Sequence, residues 1–272
     1  MHNKITFIGG GNMASAIISG LIASGIPGSQ IEVVDPSAEA RERLAGRFGL
    51  QLKSGIGQAH LYEIIVLAVK PQQLPVVAAE LASRLKEQLI VSIAAGVRVN
   101  DLSRWLGGYG GIVRTMPNTP AMVGAGITGL FAAEGVDGAA RSAAEGIMRA
   151  VGGVVWVKDE ALLDAVTAVS GSGPAYVFYL IEALEVAGVE AGLTPEAART
   201  LALQTFLGAS KLALESGEEP ASLRARVTSK GGTTEQGIAT LEAKQVKAAI
   251  AEAVRAACAR SVELGEELGR LA

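Results

Sequence analysis

The stretch Ile5-Thr6-Phe7-Ile8-Gly9-Gly10-Gly11-Asn12-Met13-Ala14 decides the fold. Its first four residues predict a strand, and the helical spacing that follows predicts a helix over Met13–Ala23. Between them, Gly9, Gly11 and Ala14 fit the pattern G-x-G-x-x-[GA]. Strand, glycine turn and helix in that order are the setting in which this pattern carries information. Gly9 allows the tight turn, Gly11 lets the backbone approach a pyrophosphate, and Ala14 permits close helix packing. The helix start at Asn12 and Met13 adds free N–H groups and partial positive charge. The stretch therefore reads as a dinucleotide-binding turn; the plainer alternative is a glycine turn with no ligand.

The same alternation repeats downstream. Strands are predicted at Ile31–Val34, Ile64–Val69, Leu89–Ile93, Ile112–Met116, Ile127–Phe131 and Val154–Val157. Helices are predicted between them at Ala38–Phe48, Leu74–Leu85 and Val136–Ala150. Most strands are near-continuous apolar runs, as expected of parallel strands covered on both faces. The predicted fold class is α/β, a Rossmann-type doubly wound parallel sheet. After residue 160 the β-rich runs vanish, and helices are predicted at Pro174–Ala191, Pro195–Leu214, Thr233–Leu241 and Gln245–Leu268. The expected organisation is an NAD(P)-binding domain over 1–160 and an all-α domain over 161–272.

Composition narrows the function classes. A length of 272 residues suits one large domain or two ordinary ones, and 49% hydrophobic residues exclude disorder as a description of the whole. No apolar run reaches the ~18 residues of a membrane span. Met1-His2-Asn3-Lys4 runs straight into the first strand, so no secretory leader is expected. Net charge is −3 with 24 basic and 27 acidic residues and no block of either sign, which argues against nucleic acid and anionic membrane as partners. The single Cys258 and the well-separated His2 and His60 offer no internal disulfide and no zinc site. The expectation is a metal-free protein of a reducing compartment, the cytoplasm.

Asp35 closes the second strand about 20 residues beyond the glycine turn, where an acid bonds the ribose 2′-hydroxyl of NAD. Ser37 could instead donate to a 2′-phosphate and Arg41 could pair with it. The bland alternative is that Pro36-Ser37 begins a helix and Arg41 is solvated, so the sequence leaves NADP(H) against NAD(H) open. Ala68-Val69-Lys70-Pro71-Gln72 and Arg114-Thr115-Met116-Pro117-Asn118-Thr119-Pro120 each end a strand at the carboxyl edge, where cofactors sit. Asn118 is either an amide near the nicotinamide or an Asx-turn on its own backbone. Ser170-Gly171-Ser172-Gly173-Pro174 either faces the nicotinamide or forms a capped turn. Thr228-Ser229-Lys230-Gly231-Gly232-Thr233-Thr234 lacks the Walker A order. It reads either as backbone N–H groups aimed at a carboxylate or phosphate, or as a capping box of Thr233 with Gln236.

What is missing selects the chemistry. No Tyr is followed four residues later by Lys, and the helix from Pro174 to Ala191 contains no lysine. Reducing a ketone needs an acid for the developing alkoxide, whereas a protonated imine accepts hydride and becomes a neutral amine. An anion pocket with hydroxyls and no strong acid fits C=N reduction better than C=O reduction.

Phe7–Ala14, Ala68–Gln72, Arg114–Pro120, Ala168–Tyr176 and Val227–Thr234 together resemble the pyrroline-5-carboxylate reductase family, in its order and spacing across essentially the whole chain. The resemblance implies NAD(P)H-dependent reduction of 1-pyrroline-5-carboxylate to L-proline, the last step of proline biosynthesis. It implies a homodimer built through the helical domain, often assembled further into rings of dimers. By residue, it implies that Gly9, Gly11, Asn12 and Met13 hold the pyrophosphate. Ala68, Val69, Lys70, Pro71 and Asn118 line the path from adenine to nicotinamide. Gly231, Gly232, Thr233 and Thr234 hold the substrate carboxylate, to which Lys230 could add attraction or, pointing to solvent, nothing; the Thr234 hydroxyl meets the ring nitrogen, and Ser172 lies against the other face. Two departures stand out: Lys230 replaces the family's usual proline, and Asp35 runs against the family's preference for NADPH.

The helix beginning at Pro174 carries Tyr176, Leu180, Ala183, Leu184 and Ala187 at three- and four-residue spacing, an apolar stripe that suits a shared core. Two other readings stand beside the main one: a reductase of a related cyclic imine, and a non-catalytic dinucleotide sensor that dimerises through its helices.

Overall fold

The computed structural model describes residues 4–271. Eight strands form one sheet: β1 (Ile5–Ile8), β2 (Ile31–Val34), β3 (Gln51–Lys53), β4 (Ile64–Leu67), β5 (Leu89–Ser92), β6 (Ile112–Met116), β7 (Gly126–Ala132) and β8 (Gly152–Trp156). Their spatial order is β3-β2-β1-β4-β5-β6-β7-β8. The order reverses at β1, which pairs in parallel with β2 on one side and β4 on the other.

Alternating side chains explain why the strands read as unbroken apolar runs. On β1, Ile5 and Phe7 enter one core while Ile8 enters a second; on β4, Ile64 and Val66 enter the first while Ile65 and Leu67 enter the second. The first core is covered by α1 (Asn12–Ala23) through Ile17, Ile18 and Leu21, and by α2 (Ala38–Phe48) through Leu44. The second is covered by α3 (Leu74–Ala82) and α4 (Val99–Trp105) through Leu74, Leu81 and Leu102. Helices on both faces make the sheet doubly wound.

The sheet departs from all-parallel at one place: β6 and β7 are antiparallel. The connection between them holds only a 3₁₀ turn over Thr119–Val123, and a parallel return would need a crossover of about a dozen residues or more. β8 then pairs in parallel with β7 after α5 (Gly138–Arg149). Glu145 pins α5 to this edge: its carboxylate accepts from the Trp156 indole and from Arg149, and both bonds hold the carboxyl below its ordinary range.

The helical remainder comprises α6 (Leu162–Val166), α7 (Gly173–Glu190), α8 (Pro195–Ser216), α9 (Pro220–Arg226), α10 (Thr233–Ala243) and α11 (Val246–Gly269). By compactness the chain divides into two units. One contains the described residues up to Ser172 and those from Ala256 onward; the other is Gly173–Arg255. The last turns of α11 thus belong with the sheet. The Ser261 hydroxyl donates to Asp164 at 2.6 Å, and Arg104 donates to the Gly269 carbonyl at 2.7 Å. In the second unit α7 and α8 pack against each other around Ile181, Ala198 and Ala202.

Candidate active site

The glycine turn lies where the strand order reverses, at the carboxyl ends of β1 and β4, the crevice in which open α/β sheets bind ligands. Gly9 has φ +103°, and a Cβ there would stand 2.7 Å from the Ala68 carbonyl oxygen, so glycine is required twice over. Gly11 caps α1 with no side-chain bond, and a Cβ on it would meet nothing within 4 Å. Asn12 is exposed and Met13 half-buried, and the amides of this first helical turn have no intrahelical partner. That cradle fits a dinucleotide pyrophosphate.

Asp35 accepts from the Gly10 amide at 2.7 Å through Oδ2 and from the Ser37 amide at 2.8 Å through Oδ1. Ser37 is the N-cap of α2, its hydroxyl accepting from the Ala40 amide. Arg41 donates to the carbonyls of Asp35 and Pro36 at 2.6 and 2.9 Å, so it is tied to the end of β2. The sequence reading missed Arg43, whose Nη2 donates to the Gly10 carbonyl at 2.8 Å. Its only signal is its position two turns into α2, shared with many solvated arginines.

Across the crevice, Ala68 and Val69 are half-buried and Lys70 is exposed, followed by a 3₁₀ turn that begins at Pro71. Asn118 is buried and bridges two segments: Nδ2 donates to the Ser170 carbonyl, and Oδ1 accepts from the Ile127 amide, both at 3.0 Å. It is thus not an Asx-turn on its own backbone. Ser170–Gly171 is not a capped turn either. Thr167–Gly171 is a π-helical turn that leads directly into α7, with the Ser172 amide donating to the Thr167 carbonyl at 2.8 Å. A Cβ on Gly171 would lie 2.6 Å from the Met116 methyl, the movable end of that side chain. Ser172 lines a cavity of about 560 Å³ beyond the ends of β4 and β5, with Pro71, Gln72, Ala95, Gly96 and Thr167. At its rim, hydrogen bonds from Arg260 to Glu267 and Glu263 raise the guanidinium pKa further above its ordinary value.

In the second unit the Thr228–Thr234 loop departs from the capping-box reading. The N-cap of α10 is Gly232, with no side-chain cap, so Thr233 is the first helical residue and the Thr233–Gln236 capping box does not form. Gly231, at φ +76°, donates its amide to Glu235 Oε2 at 2.7 Å, and Gly232 donates to the Ser229 carbonyl at 3.0 Å. Both glycine amides are bonded inside the loop, whereas the expectation had them holding a carboxylate alongside Thr233 and Thr234. Thr233, Thr234 and Lys230 are exposed, and as the first turn of α10 Thr233 and Thr234 have amides without an intrahelical partner. Glu235 had no role in the sequence reading.

Of the two histidines, only His60 lies among the described residues. His60 Nδ1 lies 2.7 Å from the buried Glu32 carboxylate, and His2 lies outside the described residues.

Residues 160–264 match the family model described as pyrroline-5-carboxylate reductase dimerisation, and residues 4–96 match one described as NADP oxidoreductase, coenzyme F420-dependent. A pyrroline-5-carboxylate reductase of Pseudomonas aeruginosa is 48% identical over 269 residues, 98% of each chain. This chain belongs to the pyrroline-5-carboxylate reductase family. Among solved structures, a pyrroline-5-carboxylate reductase from Coxiella burnetii is 45% identical with a TM-score of 0.93, over 97% of this chain and 99% of that one. The Plasmodium falciparum pyrroline carboxylate reductase, solved with NADP bound, is 31% identical with a TM-score of 0.85, over 97% and 98%. This member of the pyrroline-5-carboxylate reductase family has, among its described residues, no helix long and apolar enough to cross a membrane.

Proposed function

We propose that this chain reduces the C=N bond of 1-pyrroline-5-carboxylate to L-proline, the last step of proline biosynthesis, with NADP(H) as cofactor and NAD(H) as the second choice. The observation that carries the reading is one chain combining a dinucleotide cradle at the switch point with a helix start, at Thr233 and Thr234, that offers open amides and hydroxyls. The bound cofactor supplies the hydride. Gly9, Gly11, Asn12 and Met13 hold its pyrophosphate by backbone, and Ala68, Val69, Lys70 and Pro71 form the opposing wall. The first-turn amides of α10 receive the substrate carboxylate, with Lys230 adding positive charge nearby. The Thr234 hydroxyl meets the ring nitrogen. As hydride reaches the carbon of a protonated imine, the C=N electron pair passes to nitrogen and the product is a neutral amine, so no side chain need deliver a proton to oxygen. Ser172, in the cavity beyond β4 and β5, is a further group for orienting the substrate. The helical domain, 161–272, joins two copies into a homodimer. A ring of dimers and a cytoplasmic location complete the reading.

The test follows absorbance of NADPH and NADH with racemic 1-pyrroline-5-carboxylate, and identifies the product. Oxidation with proline formed is expected, and Thr234→Ala should lower turnover by at least about tenfold while nucleotide affinity is kept. Turnover only with a six-membered cyclic imine would move the assignment to that substrate. Nucleotide binding without turnover of either imine would leave a sensor.

A further inference from the structure

We propose that Arg43, acting with Arg41, receives the 2′-phosphate on the adenosine ribose, and that Asp35 is an internal brace of the glycine turn instead of the ribose acid. The proposal rests on the reading of that turn as a dinucleotide site. An acid that selects NAD offers free carboxylate oxygens to the ribose 2′-hydroxyl. Here each Asp35 oxygen already accepts a backbone amide, Gly10 at 2.7 Å and Ser37 at 2.8 Å. The carboxylate is thereby oriented toward the turn and the start of α2, with one acceptor site of each oxygen committed to the backbone.

Two guanidinium groups flank it. Arg43 reaches from α2 to the Gly10 carbonyl at 2.8 Å, so Gly10 is held through its amide by Asp35 and through its carbonyl by Arg43. Arg41 is anchored on the Asp35 and Pro36 carbonyls. Among the described residues neither arginine has a carboxylate within ion-pair distance; Glu39 and Glu42 on the same helix are exposed and lie outside it. A guanidinium carries five N–H donors, and each arginine spends a single nitrogen on backbone carbonyls, leaving donors for an anion. Two cations against one braced carboxylate leave the end of β2 net positive. The N-terminus of α2 adds to it, and the planar fork of arginine matches phosphate.

The test measures, by calorimetry on the full-length protein, binding of adenosine 2′,5′-bisphosphate and of 5′-AMP, which differ by the phosphate in question. The native protein should bind the bisphosphate at least about tenfold tighter than AMP, the span of one charge-assisted contact. Arg43→Gln should abolish most of that preference while AMP affinity stays within about twofold, and Arg43→Lys should retain part of it. The ratio of NADPH to NADH efficiency should fall in parallel. An equal loss for both nucleotides would make Arg43 only a brace of Gly10, and no loss for either would place the phosphate elsewhere; each result overturns the proposal. Failure of the native protein to bind either nucleotide would instead sink the dinucleotide reading of the glycine turn.

Discussion

Gly9 and Gly11 are two residues apart, yet their glycines answer different demands. At Gly9 a methyl group would combine a left-handed φ of +103° with a contact of 2.7 Å to the Ala68 carbonyl. Gly9→Ala should therefore cost at least about 1–3 kcal/mol of folding stability, read as a lower urea midpoint. At Gly11 the backbone is ordinary, φ −68°, and nothing lies within 4 Å of the added carbon. Gly11→Ala should leave the midpoint within about 0.5 kcal/mol of native and weaken NADPH binding by at least about tenfold. Unimpaired NADPH binding by Gly11→Ala would mean that the pyrophosphate does not lie on this turn. Both glycines were legible in the sequence because they stand at fixed spacing between a strand and a helix, although only Gly9 is demanded by the backbone itself. Arg43 was not, because an arginine on an exposed helical turn looks the same whether or not it reaches a carbonyl. Glu235 was hidden for a similar reason: spacing made Thr233 the cap, while the structure gives the helix start to Gly232 and sends the Glu235 carboxylate back to Gly231.

At the scale of elements, the strands buried on both faces were readable, since β1, β2, β4 and β5 are each four buried residues without a break. β3 was not, being a half-buried Gln51–Lys53 with Leu52 as its one apolar residue, and it exists because β2 leaves an edge to pair. The π-helical turn was also beyond reach, because it is tied by a tertiary bond, the Ser170 carbonyl being claimed by Asn118. Asn118 therefore links the β6–β7 connection to the segment that presents Ser172. Asn118→Ala removes both bonds at a buried position and should cost about 1–3 kcal/mol. Asn118→Asp should cost more at neutral pH. One carboxylate oxygen still accepts from Ile127, but the other faces the Ser170 carbonyl, acceptor against acceptor. Protonation turns that oxygen into a donor, so the folded state raises the pKa of the introduced carboxyl. The folded form then binds more protons than the unfolded form, and the deficit relative to native should shrink as pH falls. Denaturation midpoints of both variants at neutral and acid pH would check the order. A deficit for Asn118→Asp that does not shrink on acidification would mean that the amide does not donate to Ser170.

For the whole molecule, the two units are unequal in what they bury. The sheet-containing unit encloses two hydrophobic clusters, whereas Gly173–Arg255 buries only Ile181, Ala198 and Ala202 among its described residues. Phe178 and Tyr179 on α7 are 59% and 72% exposed, and Leu201 and Leu207 on α8 are 56% and 61% exposed. A helical unit with so little core of its own lacks the apolar burial needed to offset its ordering entropy, and large exposed apolar residues of this kind mark association surfaces. The matching dimerisation model over 160–264 places the missing partner in a second copy of the chain. Sedimentation equilibrium at micromolar concentration should therefore give at least twice the 27.8 kDa of one chain. Replacing Phe178 and Leu207 together by Glu should shift the mass toward one chain and make Tm fall, since association and stability are linked by mass action. The glycine turn, Asp35, Arg43 and the Ala68 wall all lie in the unit that has its own core. The dissociated variant should then keep nucleotide affinity within about threefold while losing turnover, because only the helical unit depends on its partner. A native chain that sediments as a monomer at micromolar concentration would overturn this account. So would a double variant that dissociates with Tm and turnover unchanged.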